Sequence, residues 1–373
     1  MQDITLILLG AGRSSRFNLP VKKQWLWSGD SPIWLKVASS FEKIYRFKKI
    51  VVVSSKRDIL AMSKFADYEF VEGGDSRQES LKRALEVVNT PFVLVSDIAR
   101  CCLDEEMIRR VISLKKSGSS VVPTLKPTDT LYLNSKPIDR DRVKIIQTPQ
   151  LSCTKTLKEA LKGDREFTDD SSAISAIGGE IIFTEGSKEA HKLTTIEDLD
   201  RLKCLRKPIN RPLVGFGVDI HPFERNKKMY LCGIEIDSEF GFKAHSDGDV
   251  AIHALIDALL GAGGVGDIGE FFPDSSSIYR DISSVKLLED VKDILISFGY
   301  VIGNIDIAII AERPKLMEYK RDMRFNLAKI LNLNPNLVNI KATTAERLGW
   351  IGRREGVAVE AIATLYYYDW TER

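Results

Sequence analysis

The stretch ITLILLGAGRSSRF, residues 4–17, decides how the first half of the chain folds. An unbroken run of apolar and β-branched residues gives way to a glycine- and serine-rich turn, the pattern of a strand buried on both faces that ends in a loop. The same kind of run returns in KKIVVVSS (48–55), PFVLVSD (91–97), SSVVPT (119–124) and EIIFT (180–184), with polar, helix-compatible stretches between them. That alternation predicts an α/β unit with a mainly parallel, Rossmann-like sheet. IEDLDRLKCLR (196–206) reads as a charged terminal helix, which the prolines of KPINRP (207–212) stop. The chain is thus expected to divide into 1–207, a linker at 208–211, and 212–373.

The second half starts again with a strand, PLVGFGVDI, followed by a helix DVAIHALIDALLGA (249–262), a glycine-rich turn and a second helix near 284–298. Strands NIDIAII (304–310), VNIKATT (338–344) and VAVEAIATLYYY (357–368) complete an α+β pattern. Neither half contains an internal repeat or a low-complexity tract.

With 373 residues, 44% hydrophobic and 28% charged, the chain is long enough for two cores and has an ordinary soluble composition. No apolar run approaches the roughly 18 uncharged residues of a membrane helix. The apolar N-terminus lacks a basic leader and runs into a glycine loop, so it reads as a strand rather than a signal peptide, and the expected location is the cytoplasm. Five cysteines, an odd number without a CxxC pair, argue against a disulfide framework and a cysteine-based zinc site, and predict reduced structural thiols. The net charge of +2 is unevenly spread, with 35 basic and 28 acidic residues through Asn210 against 19 and 24 beyond it. A basic first half suits a polyphosphate substrate as well as plain solubility, and no arginine–aromatic interleaving suggests nucleic acid.

Of only four histidines, His221, His245 and His253 fall in one short window. Asp219 and His221 are two apart on a strand, so the pleat points both to one face. The helix supplies His253, with Asp249 and Asp257 one turn to either side as groups able to fix its tautomer. Two imidazoles and one carboxylate leave a tetrahedral ion one open position, the pattern of catalytic zinc. Unrelated surface and core histidines are the alternative, and the AHSDGD segment beside them weighs against it.

GFGVDIHPF, AHSDGDVAIHALIDALLGAGGVGDIGEFFPD, IIAERPK and KATTAERLGWIGRREG together resemble the 2-C-methyl-D-erythritol 2,4-cyclodiphosphate synthase family over nearly all of 212–368. The resemblance implies zinc, or a similar divalent cation, on Asp219, His221 and His253. It places His245 and Ser246 on the substrate's phosphate and sugar-alcohol end, and Asp267 on its hydroxyls. Glu346 would hold a second divalent cation on the diphosphate, with Thr343, Thr344 and the backbone from Ala311 to Lys315 around the cytidine. The implied assembly is a homotrimer with active sites between subunits, Arg353 and Glu355 lying near its axis. An arginine and a glutamate in a turn are also commonly just a solvated pair.

In the first half, LLGAGRSSRF can aim backbone N–H groups at phosphates, but it lacks the third glycine of a dinucleotide fingerprint, and no GKS or GKT appears. Asp97 ends an apolar strand, a position that suits magnesium on a nucleotide or, equally, a helix cap. With GGDSRQES (73–80), TDT (128–130), TPQ (148–150), FTDDSSAI (167–174) and HKLTT (191–195), these motifs resemble the 2-C-methyl-D-erythritol 4-phosphate cytidylyltransferase family over most of 1–207. By that resemblance Arg16 and Lys23 stabilise the anionic transition state beside the Gly12 loop, and Asp75, Arg77 and Ser80 frame cytosine and ribose. Asp97, Arg100, Thr130, Arg140 and Lys192 hold methylerythritol phosphate or the metal, with Arg140 and Lys192 as phosphate clamps. The family's HDAARP reads SDIARC here, with Ser96, Ile98 and Cys101 substituted, and Ser14 replaces a glycine.

Together the resemblances imply a bifunctional enzyme of the methylerythritol phosphate route to isoprenoid precursors. It would transfer CMP from CTP to methylerythritol phosphate, and cyclise the phosphorylated cytidyl product with release of CMP. A separate kinase must act between the two steps. Magnesium would accompany CTP and the cytidine diphosphate moiety. The trimer of the second half could extend to a hexamer through N-terminal dimers. Two alternatives remain for the first half: a sugar-phosphate nucleotidyltransferase of other specificity, or a non-catalytic assembly module.

Overall fold

Strand Ile4–Leu9 forms the middle of the first sheet, paired in parallel with Lys49–Ser54 on one side and Phe92–Asp97 on the other. The computed structural model describes residues 2–12, 14–244, 246–273 and 282–372, and the chain separates into two units, Met1–Lys207 and Pro208–Arg373. In the first unit the strand order is Ile145–Ile146, Ser119–Leu125, Gln150–Cys153, Phe92–Asp97, Ile4–Leu9, Lys49–Ser54 and Glu69–Glu72, with Glu180–Glu185 parallel to Ser119–Leu125. Ile145–Ile146 and Gln150–Cys153 run antiparallel. Ile7, Val51, Val53, Val93 and Val95 are buried under helices Arg77–Glu86 and Thr154–Ala160, whose Leu81, Leu85 and Leu157 complete that core. Each such side chain contributes about 1.5–3 kcal/mol. The three central strands end together at Leu9, Ser54 and Asp97, and the carboxyl edge they form is where open parallel sheets bind ligands.

Two expectations for this unit need correction. Residues 196–206 do not form an α-helix: a 3-10 segment, Ile196–Arg201, is followed by turns. Asp198 is drawn back onto the N–H groups of Thr194 and Thr195 and onto His191, while Leu199 and Leu202 are buried, so the segment lies flat along the unit. The thiols are also not all free. Cys102 and Cys204 form a disulfide, their Cα atoms 5.5 Å apart, and Cys101, Cys153 and Cys232 remain free. With a sequence separation of 102, that pairing depends on how the chain returns to the sheet, which cysteine spacing does not encode.

The second unit is a five-stranded sheet in the order Phe240–Phe242, Leu213–Arg225, Gly356–Tyr367, Tyr300–Ile310 and Val338–Thr343. Its last two strands are parallel and the other pairs antiparallel. Helix Val250–Gly263 is apolar nearly all round because it is covered on several sides, by Leu213–Arg225, Gly356–Tyr367 and helix Ser284–Ser297. Gly215 and Gly217 permit the close approach. A Cβ on Gly215 would lie 1.9 Å from the Ala258 carbonyl oxygen, and one on Gly217 would lie 2.1 Å from that of Ala254. The opposite sheet face carries Val214, Phe216, Val218, Ile220 and Ile362, all exposed in the single chain. No helix among the described residues is long and apolar enough to cross a membrane.

Candidate functional site

The helix seated on those glycines brings His253 to the strand that carries Asp219 and His221. Asp219 Oδ2 lies 3.1 Å from His221 Nε2 and 3.2 Å from His253 Nδ1, and the three ligand atoms all lie within 4.8 Å of one another. Ligands about 2.0–2.1 Å from a tetrahedral ion stand about 3.3 Å apart, so this donor set fits zinc in both type and spacing. Burial would push the Asp219 carboxyl up, but His221 and His253 outweigh it and hold the group far below the usual carboxylate range. Burial likewise opposes the His221 charge, and Asp219 raises it above an ordinary histidine.

The imidazoles are oriented differently from the sequence-based expectation. Asp249 caps the helix, accepting from Ile252, Cys232 and Gly233 N–H groups, and Asp257 accepts from Ile268 N. Their hydrogen bonds are thus directed away from His253. Instead His221 Nδ1 lies 3.0 Å from the Gly248 carbonyl oxygen, and His253 Nε2 lies 2.9 Å from Ser284 Oγ and 3.3 Å from Ser246 Oγ. Ser246 therefore belongs to this cluster, while His245 lies outside the described residues. Asp267 caps the short helix Ile268–Phe271 through Glu270 N.

A second cluster forms where the parallel strands Tyr300–Ile310 and Val338–Thr343 end side by side. Ala311 donates its N–H to Thr343 O, and Thr344 Oγ1 donates to Glu346 Oε1 at 2.9 Å. Glu346 and Arg347 have φ of 50° and 64°, and the Glu312 carboxylate accepts from Ala345 N and Arg347 N, which secures this left-handed turn. Lys315 is exposed nearby in sequence, and Arg353 pairs with Glu355 on the surface at 2.7 Å. Glu312 was not identified from sequence, since a loop carboxylate gives no sign of the N–H groups it will meet.

At the carboxyl edge of the first unit, charges alternate along a chain. Lys192 Nζ lies 2.7 Å from Asp97 Oδ2, Arg77 Nε lies 3.6 Å from Asp97 Oδ1, and Arg77 Nη1 lies 2.8 Å from Asp170 Oδ1. Burial pushes Asp97 up, but Lys192 and Arg77 hold it below the ordinary range. Asp170 is fully enclosed, and burial raises its carboxyl even with Arg77 beside it. Arg77, expected beside the cytosine with Asp75, thus joins the Asp97 group, whereas Asp75 is exposed. Ser80 fixes the glycine loop by accepting from Gly74 N, and Arg100 donates to Thr148 Oγ1 and Ala190 O. Lys23 donates to Leu193 O at 3.3 Å, and burial together with Arg16 and Lys192 lowers its ammonium pKa. Gly12 and Arg16 border this edge exposed, and a Cβ at Gly12 would meet nothing within 4 Å among the described residues beyond its chain neighbours.

Thr130 and Arg140 are not brought to that cluster. They sit on an exposed arm around the hairpin Leu131–Leu133 and Lys136–Ile138, where Arg140 donates to Thr128 O. Two buried carboxylates escaped the sequence reading. Asp170, within FTDDSSAI, carries no sequence sign of the Arg77 guanidinium it meets. Asp58 accepts from Lys22, Gln24, Trp25 and Ser54 and so fixes the turn that presents Lys23.

Known proteins match both units. Residues 4–205 match 2-C-methyl-D-erythritol 4-phosphate cytidylyltransferase, and residues 213–366 match the YgbB family. Over its full length the chain is 58% identical to a bifunctional enzyme IspD/IspF of Sulfurovum sp. (strain NBC37-1) and 52% identical to one of Campylobacter curvus, covering all of each. The solved structure of bifunctional IspDF from Campylobacter jejuni superimposes with a TM-score of 0.83 at 46% identity, covering 99% of this chain and 100% of that one. The chain belongs to the bifunctional IspD/IspF family, which joins a cytidylyltransferase and a cyclodiphosphate synthase of the methylerythritol phosphate route in one polypeptide.

Proposed function

We propose that the carboxyl edge around Lys23, Asp97 and Lys192 transfers CMP, and that the cluster of Asp219, His221 and His253 serves cyclisation. In the first unit a phosphate oxygen of methylerythritol phosphate attacks the α-phosphorus of CTP, and the bridging P–O bond to the β-phosphorus breaks to release pyrophosphate. Lys23 and Arg16 offset the charge that accumulates on the non-bridging oxygens, from positions beside the Gly12 loop. Asp97, whose Oδ1 lies 3.6 Å from Arg77 Nε, would hold a magnesium ion carried by CTP, which would supply charge neutralisation on the triphosphate. Asp75 and Ser80 frame the nucleoside, and Arg100 and Lys192 orient the acceptor phosphate. Thr130 and Arg140, on their exposed arm, would act on the site of a second copy.

In the second unit the 2-phosphate of the substrate attacks its own β-phosphorus, the bond to the cytidyl phosphate breaks, and CMP departs. No protein nucleophile is needed, so catalysis rests on positioning and charge neutralisation. A bound zinc ion would supply Lewis-acid polarisation of a phosphoryl oxygen. His245, Ser246 and Asp267 grip the methylerythritol end, while Thr343, Thr344, Glu346 and the segment from Ala311 to Lys315 receive the cytidine diphosphate and its second cation, proposed as magnesium.

Strand register supports an active site shared between copies. Ile220 is aligned with Ala358, Ala358 with Ile310, and Ile310 with Thr343, so three strand spacings, about 14 Å, separate the zinc cluster from the cytidine cluster of one chain. A diphosphate group is much shorter than that separation, which favours clusters from two copies acting on one substrate. A homotrimer that buries the exposed Val214, Phe216, Val218 and Ile220 face, with Arg353 and Glu355 near its axis, would bring complementary clusters together. Hexamers through the first units, a separate kinase for the intervening step and a cytoplasmic location complete the proposal.

The observation that carries the reading of the second unit is the convergence of Asp219, His221 and His253. His221→Ala is expected to lose stoichiometric zinc and CMP release from the phosphorylated cytidyl substrate, while pyrophosphate release from CTP continues. Zinc retained at wild-type stoichiometry would remove the assignment.

A further inference from the structure

A histidine that binds a metal through one ring nitrogen carries its proton on the other, so whatever accepts that proton sets the ring's tautomer and angle. For His221 the acceptor is the Gly248 carbonyl. For His253, Nδ1 faces Asp219, and Nε2 faces Ser284 Oγ at 2.9 Å. Ser284 is completely buried, and its hydroxyl lies 2.5 Å from Asp247 Oδ1, while its backbone N–H donates to Asp247 Oδ2 at 2.9 Å. A carboxylate only accepts, so the serine proton must point to Asp247. The lone pairs of Ser284 Oγ are then left to receive Nε2–H of His253.

We infer that Ser284 and Asp247 are positioning residues that hold His253 in the Nε2–H tautomer and aim its Nδ1 at the metal. This rests on the zinc assignment above. Asp247 and Gly248 are neighbours in one loop, so that loop orients both imidazoles, one through a carbonyl and the other through a serine contributed 37 residues later. Ser246 Oγ is the competing acceptor, but it is farther from Nε2, at 3.3 Å, and already accepts from Gly248 N.

The geometry separates positioning from folding. Asp247 serves the first turn of helix Ser284–Ser297 through a backbone N–H, which Ser284→Ala leaves in place. The test is competition of the full-length protein with a chromophoric chelator for zinc, with thermal melting of the apo forms alongside. Ser284→Ala is expected to weaken zinc binding about 10- to 100-fold, and Asp247→Asn to weaken it by a smaller factor in the same direction. Ser246→Ala should change zinc affinity less than about threefold, because its bond to Nε2 is the longer one. Zinc affinity of Ser284→Ala equal to wild type, or an equal loss in Ser246→Ala, would overturn the inference. If Ser284→Ala fails to fold, Asp247→Asn decides: unchanged affinity overturns it. A wild-type protein that binds no zinc would instead overturn the metal assignment and this inference with it.

Discussion

Gly217→Ala connects packing to metal binding in a single atom. The new Cβ would lie 2.1 Å from Ala254 O and 2.7 Å from Ala258 N, both backbone atoms of helix Val250–Gly263. Carbon contacts are favourable near 3.5–4.0 Å, so the helix must retreat by roughly 1 Å or more. Overpacking of this kind costs about 1–3 kcal/mol of stability. Its effect on the site is larger in kind. His253 rides on the helix and Asp219 on the strand, 3.2 Å apart, and metal–ligand distances tolerate only about 0.2 Å of error. Zinc affinity should therefore fall at least about tenfold and CMP release about 100-fold, the usual cost of a 1 Å misplacement. Chelator competition, CMP release and thermal melting together form the assay. Gly261→Ala on the same helix is the control: its Cβ meets nothing within 4 Å, and alanine there should stabilise by about 0.5–1 kcal/mol. Wild-type zinc affinity in Gly217→Ala would refute the idea that this close approach sets the site.

Lys23→Ala should abolish pyrophosphate release and leave cyclisation intact. Because burial, Arg16 and Lys192 lower the Lys23 pKa, its charge is present at low pH and lost as pH rises through a value below that of an ordinary lysine. The alkaline limb of cytidylyl transfer should accordingly move upward in Lys23→Arg, and a pH–rate profile with an unmoved limb would exclude Lys23 as its source. Asp170→Ala removes the nearer of the two carboxylates that Arg77 faces and leaves it Asp97 at 3.6 Å, so denaturant titration should find the first unit less stable by about 1–3 kcal/mol, the cost of one lost charge-assisted hydrogen bond. Ile220→Lys places a charge on the exposed apolar sheet face, and light scattering should find the assembly reduced to smaller species; an unchanged mass would show that this face is not the interface.

Much of the fold was legible because both units advertise their periodicity. Unbroken apolar runs such as IVVV around Val51 mark strands covered on both faces, and all five runs quoted for the first unit became strands. Glu69–Glu72 and Gln150–Cys153 were not foreseen, since short edge or antiparallel strands have no comparable run. Asp219, His221 and His253 were readable because strand pleat and helix position could be inferred locally. Ser284, Asp247, Asp58 and Glu312 were not, because their roles arise from partners distant in sequence and common serine or acidic residues carry no mark of such contacts. The Cys102–Cys204 pair went unseen for the same reason.

The most direct measurement follows both products in one purified preparation: pyrophosphate from CTP with methylerythritol phosphate, and CMP with cyclodiphosphate from the phosphorylated cytidyl substrate. The wild type should form both, Lys23→Ala only the second pair and His221→Ala only pyrophosphate. Parallel loss of both reactions in either variant would contradict two independent sites on one chain.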